Sequence, residues 1–217
     1  MFLKQVEEVL QEIETDAKVT TRQEAVRRLR VLGLDDFGLV LFFSPLRQYP
    51  KLSGLLPRMA DEKIQMIWTG NTGVALLNQT TPFVRSLSHN FANIAGRSLT
   101  GARILDFGCG YGRIARLMYY FSDEDAVYGC DPWSESIDVC RGNGLGENFR
   151  LSQYRAHDLP VGDVTFDVIF AFSVFTHLSE RTCIEALNTL RKYVVPKGML
   201  AITVRPVEYL SLSLIHI

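Results

Sequence analysis

The sequence of 217 residues has almost no net charge, few cysteines and no long apolar run. A formal net charge of −1 at pH 7 does not favour electrostatic capture of nucleic acid or of an anionic membrane surface. The most apolar stretch, residues 38–43, is far too short to span a bilayer, and the first residues lack the pattern of a secretion signal. We therefore expect a soluble protein with no nucleic-acid or membrane partner.

The four cysteines form no Cys-x-x-Cys pair, and no histidine stands at ligand spacing from them. This arrangement predicts neither a metal site nor a disulfide framework, and it favours the reducing cytoplasm. The content of hydrophobic residues, 47%, is enough for a proper core. The length allows one large domain or two small ones, and the sequence contains neither a repeat nor a low-complexity linker.

The clearest pattern lies in residues 102–131. An apolar run, Arg103–Phe107, is followed by the glycine-rich stretch Gly108–Gly112, a helical stretch, and a second apolar run that ends at Asp131. This layout consists of a strand, a glycine turn, a helix and a second strand that ends in an acid. It holds a nucleoside at the carboxyl ends of a parallel sheet. The pattern therefore predicts an adenosine cofactor.

The spacing of the glycines indicates which adenosine cofactor the turn would bind. A dinucleotide fingerprint has its third glycine three residues after the second, where this chain has Arg113. The third glycine is Gly112, only two residues after Gly110, and the turn is preceded by Asp106. A carboxylate there would repel a diphosphate but would suit a ligand with an ammonium group, as in S-adenosyl-L-methionine.

The stretch Ile104-Leu-Asp-Phe-Gly-Cys-Gly-Tyr-Gly-Arg113 resembles motif I of the class I S-adenosylmethionine-dependent methyltransferases. The resemblance covers about residues 99–207. It implies an α/β fold with a Rossmann-like, doubly wound and mostly parallel sheet. It also implies methyl transfer from S-adenosyl-L-methionine to a small-molecule acceptor through an oxygen or nitrogen nucleophile. The acceptor itself and the oligomeric state are beyond the sequence.

Further segments follow in the order of that family. Asp131 ends a short buried-strand pattern, where its carboxylate can accept the ribose hydroxyls, and Pro132 opens the next helix. Trp133 could lie against the adenine, or it could be a half-buried aromatic at the start of a helix. Asp158 is expected to end a third strand and, by the resemblance, to accept the adenine amino group; the alternative is a turn cap before Pro160.

The fourth strand, residues 166–171, leads to Ser173, where the resemblance places the methionine part of the cofactor. The turn at residues 195–198 should precede a fifth strand over residues 199–204, with Lys197 in place of a family glycine. The predicted cofactor-binding set is Asp106, Gly108, Cys109, Gly110, Gly112, Asp131, Pro132, Trp133, Asp158, Leu159 and Ser173.

His177, just past the fourth strand, is the candidate catalytic residue. An oxygen or amine acceptor can need to lose a proton, and His177 is the only histidine well placed to take it. The alternative is a residue at the start of a helix with no part in the reaction, because many enzymes of this family use no base.

Residues 1–97 predict a helical N-terminal extension, with apolar stripes such as Val6, Leu10 and Ile13 and further stripes after three prolines. We expect it to act as a lid over the cofactor cleft; a structural buttress is the alternative. Residues 98–217 would form the cofactor-binding core, which should be incomplete, because a full family core has a sixth and a seventh strand. Residues 212–217 resemble a translated sequencing-library end, with a genuine short strand as the alternative.

Two other classes of function stay open. A nicotinamide-dependent oxidoreductase would share the alternating architecture, but Arg113 and Asp106 both argue against it. A non-catalytic nucleotide-binding regulator would have lost some of the site acids, whereas Asp106, Asp131 and Asp158 all occur in order.

Overall fold

The N-terminal part of the chain is helical. A computed structural model describes residues 2–205. Its first six helices are α1 (Lys4–Thr15), α2 (Arg22–Leu29), α3 (Leu34–Phe42), α4 (Pro50–Leu55), α5 (Glu62–Thr69) and α6 (Gly73–Ala95). The prediction of a helical N-terminal region is confirmed. No helix within the described residues is both long enough and apolar enough to cross a membrane.

Local signals explain where these helices start and stop. Thr21 and Glu24 form a reciprocal capping box at the start of α2, which satisfies backbone N–H groups that the helix cannot pair. The Asp61 side chain accepts a hydrogen bond from the Ile64 N–H and caps α5 in the same way. Gly70 follows α5 with φ +75°, a left-handed conformation that ends the helix where an L side chain would be strained.

A parallel sheet follows the helical region. Its strands are β1 (Ile104–Phe107), β2 (Val127–Asp131), β3 (Phe149–Leu151), β4 (Phe166–Ala171) and β5 (Val194–Ile202), in the order β3-β2-β1-β4-β5. The connecting helices are α7 (Arg113–Met118), α8 (Ser134–Gly142) and α9 (Glu180–Tyr193). The strand order reverses between β1 and β4, and ligands of open α/β sheets bind in the crevice at such a switch point. The predicted doubly wound α/β fold is confirmed.

Two strands differ from the sequence prediction. The third strand covers residues 149–151, so the expected strand ending at Asp158 is wrong and residues 154–158 form a loop. The fifth strand begins at Val194 instead of Met199, and its pairing with β4 shifts register between Phe166 and Val168. The expected turn at residues 195–198 is therefore an irregularity inside β5, with Lys197 at φ +62°.

The helical region and the sheet are packed on one continuous hydrophobic cluster, which runs from Val6 in α1 to Met199 in β5. The fully buried Arg116 of α7 joins them, because its Nε and Nη2 donate to the Arg58 carbonyl at 3.1 and 2.7 Å. Its Nη1 donates to the Tyr111 carbonyl. The segment around Arg58, which precedes the sheet, is thus fixed to α7. The predicted division into two domains at residue 97 stays a prediction.

β5 is the outermost strand on its side of the described sheet. A sixth and a seventh strand, which the sequence analysis expects to be missing, would follow β5 in the chain. Residues 206–217 lie outside the described residues, and they include the suspected library end at 212–217.

Candidate functional site

A cavity of about 830 Å³ opens at the carboxyl ends of β1, β2 and β4. Its size falls within the range of small-molecule and cofactor sites. Residues of the glycine turn, of the segments after β2 and β4, and of helices α5 and α6 line it. The helical region therefore contributes one wall of the site.

The glycine turn needs its glycines for two different reasons. Gly108 and Gly112 have φ +75° and +74°, and a Cβ at either would lie within 2.3 Å of a neighbouring side chain, Val174 or Leu145. Gly110 has φ +53°, lines the cavity, and has nothing within 4 Å of the position that a Cβ would take. Gly108 and Gly112 let the turn fold, whereas Gly110 leaves room for a ligand to approach the backbone.

Asp131 is held rigidly at the end of β2. Its Oδ2 accepts a hydrogen bond from the Gly110 N–H, and its Oδ1 accepts one from the Trp133 N–H, both at 2.9 Å. Each oxygen keeps a further lone pair, and the side chain lines the cavity while only 9% exposed. The carboxylate can therefore accept two more hydrogen bonds from a neighbouring pair of hydroxyl groups.

Asp106 is 2% exposed at the end of β1 and also lines the cavity. Burial, reinforced by the nearby charge of Asp131, raises the pKa of Asp106 to about 8, although Arg113 and a hydrogen bond from the Ala115 N–H act in the opposite direction. A buried carboxyl group of this kind gains from a cationic group that enters the cavity.

Aromatic side chains close one side of the cavity. The Trp133 and Trp68 rings lie 4.6 Å apart at 33°, and Trp68 also lies 5.8 Å from the Tyr111 ring. The Thr69 and Tyr111 hydroxyl groups share a hydrogen bond of 3.1 Å. Helix α5 is thereby attached to the glycine turn, and Trp133, half exposed, presents part of its ring to solvent and cavity.

Ser173 and His177 follow β4. Ser173 has the unusual φ of +60°, and its N–H donates to the Thr203 Oγ1 at 2.7 Å, so the residue that follows β5 fixes its position. His177 ends a 3-10 turn, Phe175–His177, and its N–H donates to the Val174 carbonyl at 2.9 Å. Both side chains line the cavity.

The structure brings most of the predicted site residues together. Those that line the cavity are Asp106, Gly108, Cys109, Gly110, Asp131, Pro132, Trp133, Ser173 and His177. Gly112 lies directly behind them, as the residue before α7. Their individual roles toward a ligand stay predictions.

Asp158 and Leu159 are not among the residues that line this cavity. The Asp158 carboxylate accepts a hydrogen bond from the Tyr193 hydroxyl of α9, and this bond lowers the pKa of Asp158. Leu159 is buried, and its N–H donates to the same hydroxyl at 3.2 Å. From the same loop it is Tyr154, 80% exposed, that lines the cavity. The geometry gives no support to an adenine contact of Asp158.

Several lining residues escaped the sequence analysis. They include Trp68 and Thr69 of α5, Gln79 of α6, and Phe172 after β4. Arg113 also lines the cavity, and the sequence identified it only as the residue in place of a third glycine. These side chains come from separate elements that packing brings to one place. One sequence signal could have identified Trp68 as a candidate site residue, namely that it is one of only two tryptophans in the chain.

Known proteins match the sheet region. The profile of a family described as methyltransferase domain matches residues 104–198, from the start of β1 into β5. The plantazolicin methyltransferase BpumL, solved with a pentazolic desmethylPZN analog and SAH, superposes with a TM-score of 0.51. It is 20% identical, and the match covers 90% of this chain and 66% of that one, which shows a shared fold. Residues 104–198 therefore match a methyltransferase domain.

Two curated relatives of the chain are methyltransferases whose names refer to small molecules. Glycine/sarcosine/dimethylglycine N-methyltransferase of Actinopolyspora halophila is 26% identical over 157 residues, which are 66% of this chain and 26% of that protein. Ubiquinone biosynthesis O-methyltransferase of Methylocella silvestris is 28% identical over 127 residues, which are 51% and 48% of the two chains. The chain thus spans half or less of the length of these relatives.

Proposed function

We propose that the protein is an S-adenosyl-L-methionine-dependent methyltransferase that acts on a small-molecule acceptor through an oxygen or nitrogen nucleophile. The observation that carries this proposal is the cavity in which Asp106, Gly110 and Asp131 meet within a methyltransferase domain. Two carboxyl groups beside a glycine turn suit a ligand with hydroxyl groups and a cationic end, and the Asp131 carboxylate would repel a diphosphate.

The residues that would hold the cofactor fit its parts. The free lone pairs of Asp131 suit the two ribose hydroxyls, and Asp106 suits the ammonium group of the methionine part. Gly110 leaves space for close approach to the backbone. Trp133 and Tyr154 offer aromatic surface to the adenine at the rim of the cavity.

The bound cofactor supplies a methyl group that its sulfonium has already activated. The protein then has to hold the acceptor in line with that methyl group and to keep water away. The Trp68 and Thr69 side chains of α5 and Gln79 of α6 cover the cavity from the helical side. We therefore assign acceptor selection to the helical region, as a covering element over the cleft.

His177 lines the same cavity and carries no hydrogen bond to its ring within the described residues. A neutral imidazole there can take a proton from an acceptor hydroxyl or ammonium group. The relatives are named for transfer to nitrogen and to oxygen, which supports an acceptor of either kind. The four free thiols, three of them buried, support a place in the reducing cytoplasm.

Calorimetric titration of the protein with S-adenosylhomocysteine and, separately, with NADH tests the proposal. We expect binding of S-adenosylhomocysteine and none of NADH, because Arg113 stands where a dinucleotide fingerprint has its third glycine. Turnover is then measured as S-adenosylhomocysteine formed with panels of amines and phenols. Binding of NADH without binding of S-adenosylhomocysteine would refute the proposed cofactor.

A further inference from the structure

We propose that Cys109 and Cys140 form an oxidation site, at which hydrogen peroxide joins the two thiols in a disulfide that weakens ligand binding in the cavity. Cys109 belongs to the glycine turn and Cys140 to α8, and all four cysteines of the chain are free in the structure. The site itself does not depend on the proposed function, whereas its effect on S-adenosylhomocysteine rests on that function.

The two thiols meet at one atom of the glycine turn. The Cys140 Sγ lies 3.2 Å from the carbonyl oxygen of Gly110, and the Cys109 Sγ lies 3.6 Å from the same oxygen. The two thiols also interact directly with each other. Cys130 is not an alternative partner, because its side chain belongs to a separate hydrophobic cluster. Cys140 is therefore the thiol that can capture an oxidised Cys109.

A small oxidant in the cavity can reach only one of the two sulfur atoms. Cys109 is 7% exposed and lines the cavity, whereas Cys140 is completely buried. Cys109 is therefore the thiol that reacts with peroxide. The contact with Cys140 and burial raise the pKa of the Cys109 thiol, so the reactive thiolate is scarce and oxidation should be slow.

A buried positive charge lies beside the pair. A Cβ at Gly112 would lie 3.0 Å from the Arg116 Nη1 and 3.4 Å from the Cys140 Sγ, so the guanidinium and the thiol are neighbours. Arg116 donates its hydrogen bonds to carbonyl groups and forms no ion pair with a carboxylate within residues 2–205. It interacts electrostatically with both Cys140 and Cys109. A thiolate formed at either cysteine would therefore be stabilised by a charge that no acid neutralises.

The reaction balances with hydrogen peroxide as the two-electron oxidant. The Cys109 sulfur attacks one peroxide oxygen, the O–O bond breaks, and Cys109 becomes a sulfenic acid while the other oxygen leaves as water with the thiol proton. The Cys140 sulfur then attacks the Cys109 sulfur, and the S–S bond forms. The sulfenic hydroxyl leaves as water with the Cys140 proton. Both thiols are thus oxidised, and the peroxide is reduced to water.

The disulfide would change the turn on which the cavity depends. Because an S–S bond is much shorter than a contact between two thiols, Cys109 has to move toward α8, and Gly110 loses both thiol neighbours. The Gly110 N–H holds the Asp131 Oδ2 at 2.9 Å, so movement of the turn disturbs this carboxylate. We expect oxidised protein to bind S-adenosylhomocysteine about 10-fold more weakly or worse, as for the loss of one hydrogen bond to a charged group.

Peptide mapping by mass spectrometry tests the oxidation site. The protein is treated with hydrogen peroxide, quenched with acid, alkylated at its remaining thiols and digested without reduction. We expect a peptide pair linked through Cys109 and Cys140. The half-buried Cys183 is the internal reference, because its thiol faces the Phe175 and Leu178 carbonyls and does not line the cavity. A digest that lacks this linkage when Cys183 is fully oxidised would overturn the inference.

Serine variants separate the two steps of the reaction. Cys140→Ser keeps a donor for the Gly110 carbonyl but removes the second thiol, so peroxide should leave a sulfenic acid at Cys109 that dimedone labels. Cys109→Ser should give no dimedone label at Cys140, which is completely buried. Cys183→Ser should form the disulfide as wild type does. A label at Cys140 in Cys109→Ser as strong as that at Cys109 in Cys140→Ser would overturn the assigned order, and the wild-type map stays decisive where a variant fails to fold.

Calorimetry with S-adenosylhomocysteine tests the effect on the cavity. It compares reduced protein, oxidised protein, and oxidised protein after treatment with dithiothreitol, which reduces a disulfide but leaves methionine sulfoxide unchanged. Affinity that falls on oxidation and returns with dithiothreitol supports the inference, and unchanged affinity of protein with a complete linkage would overturn it. Failure of the reduced protein to bind S-adenosylhomocysteine would instead refute the proposed cofactor, while the peptide map would still decide the oxidation site.

Discussion

Binding of S-adenosylhomocysteine should release a proton from Asp106, and its affinity should therefore rise with pH. With its pKa raised to about 8, Asp106 is protonated in most molecules of the free protein at neutral pH. The ligand ammonium group has to meet a carboxylate, so the proton must leave when the ligand binds. At about pH 7 roughly 0.9 proton should be released for each ligand bound.

The size of the effect follows from the same pKa. Ionising Asp106 costs about 1.4 kcal/mol at about pH 7 and about 2.7 kcal/mol at about pH 6. The dissociation constant should therefore fall roughly ninefold between these two pH values, where the α-amino group of the ligand stays charged. Calorimetry in two buffers of different ionisation enthalpy measures the proton release directly.

Three controls assign the proton. The Asp106→Asn variant and the ligand 5′-methylthioadenosine, which has no ammonium group, should both show no proton release. The His177→Asn variant should keep it, because His177 also lines the cavity but is not the group that meets the ammonium. Wild-type affinity that is equal at the two pH values, with no proton released, would refute the assignment of Asp106 to the ammonium group.

Three further outcomes are expected. Asp131→Ala should weaken S-adenosylhomocysteine binding by about 1.5–3 kcal/mol, because two ribose hydroxyls lose a charged acceptor; unchanged affinity by calorimetry would remove the ribose assignment. Arg116→Met should lower the free energy of unfolding in urea by about 2–5 kcal/mol, because the buried carbonyl groups of Arg58 and Tyr111 lose a charged donor. His177→Ala should lower turnover by about 10²–10⁴-fold and leave S-adenosylhomocysteine affinity unchanged; full activity would return His177 to a structural role.

The parts of the site that the sequence predicted are those that depend on neighbours along the chain. The strand, the glycine turn and the start of α7 lie within residues 104–113, and the positive φ angles of Gly108 and Gly112 are a local requirement. Asp131 was predictable for the same reason, because a buried strand that ends in an acid places it at the sheet edge. Local patterns were sufficient for the part of the cavity that the glycine turn and the end of β2 form.

Asp158 shows where local reasoning fails. Its place in the order of acids suggested a strand end, but β3 stops at Leu151, so Asp158 falls in the loop that follows. There the Tyr193 hydroxyl, 35 residues away, binds its carboxylate. A partner from α9 competes with any ligand for this acid, and no pattern around Asp158 reveals that competition.

Arg113 shows how one residue carries both kinds of information. In the sequence it is informative by what it replaces, since a third fingerprint glycine there would have favoured a dinucleotide. In the structure it is informative by what surrounds it, since its guanidinium group contacts Gln79 from α6 and the Phe172 ring after β4. The same residue that departs from the dinucleotide fingerprint thus places a guanidinium group in the lining of the cavity. Its position is local in the sequence, whereas its contacts come from distant elements.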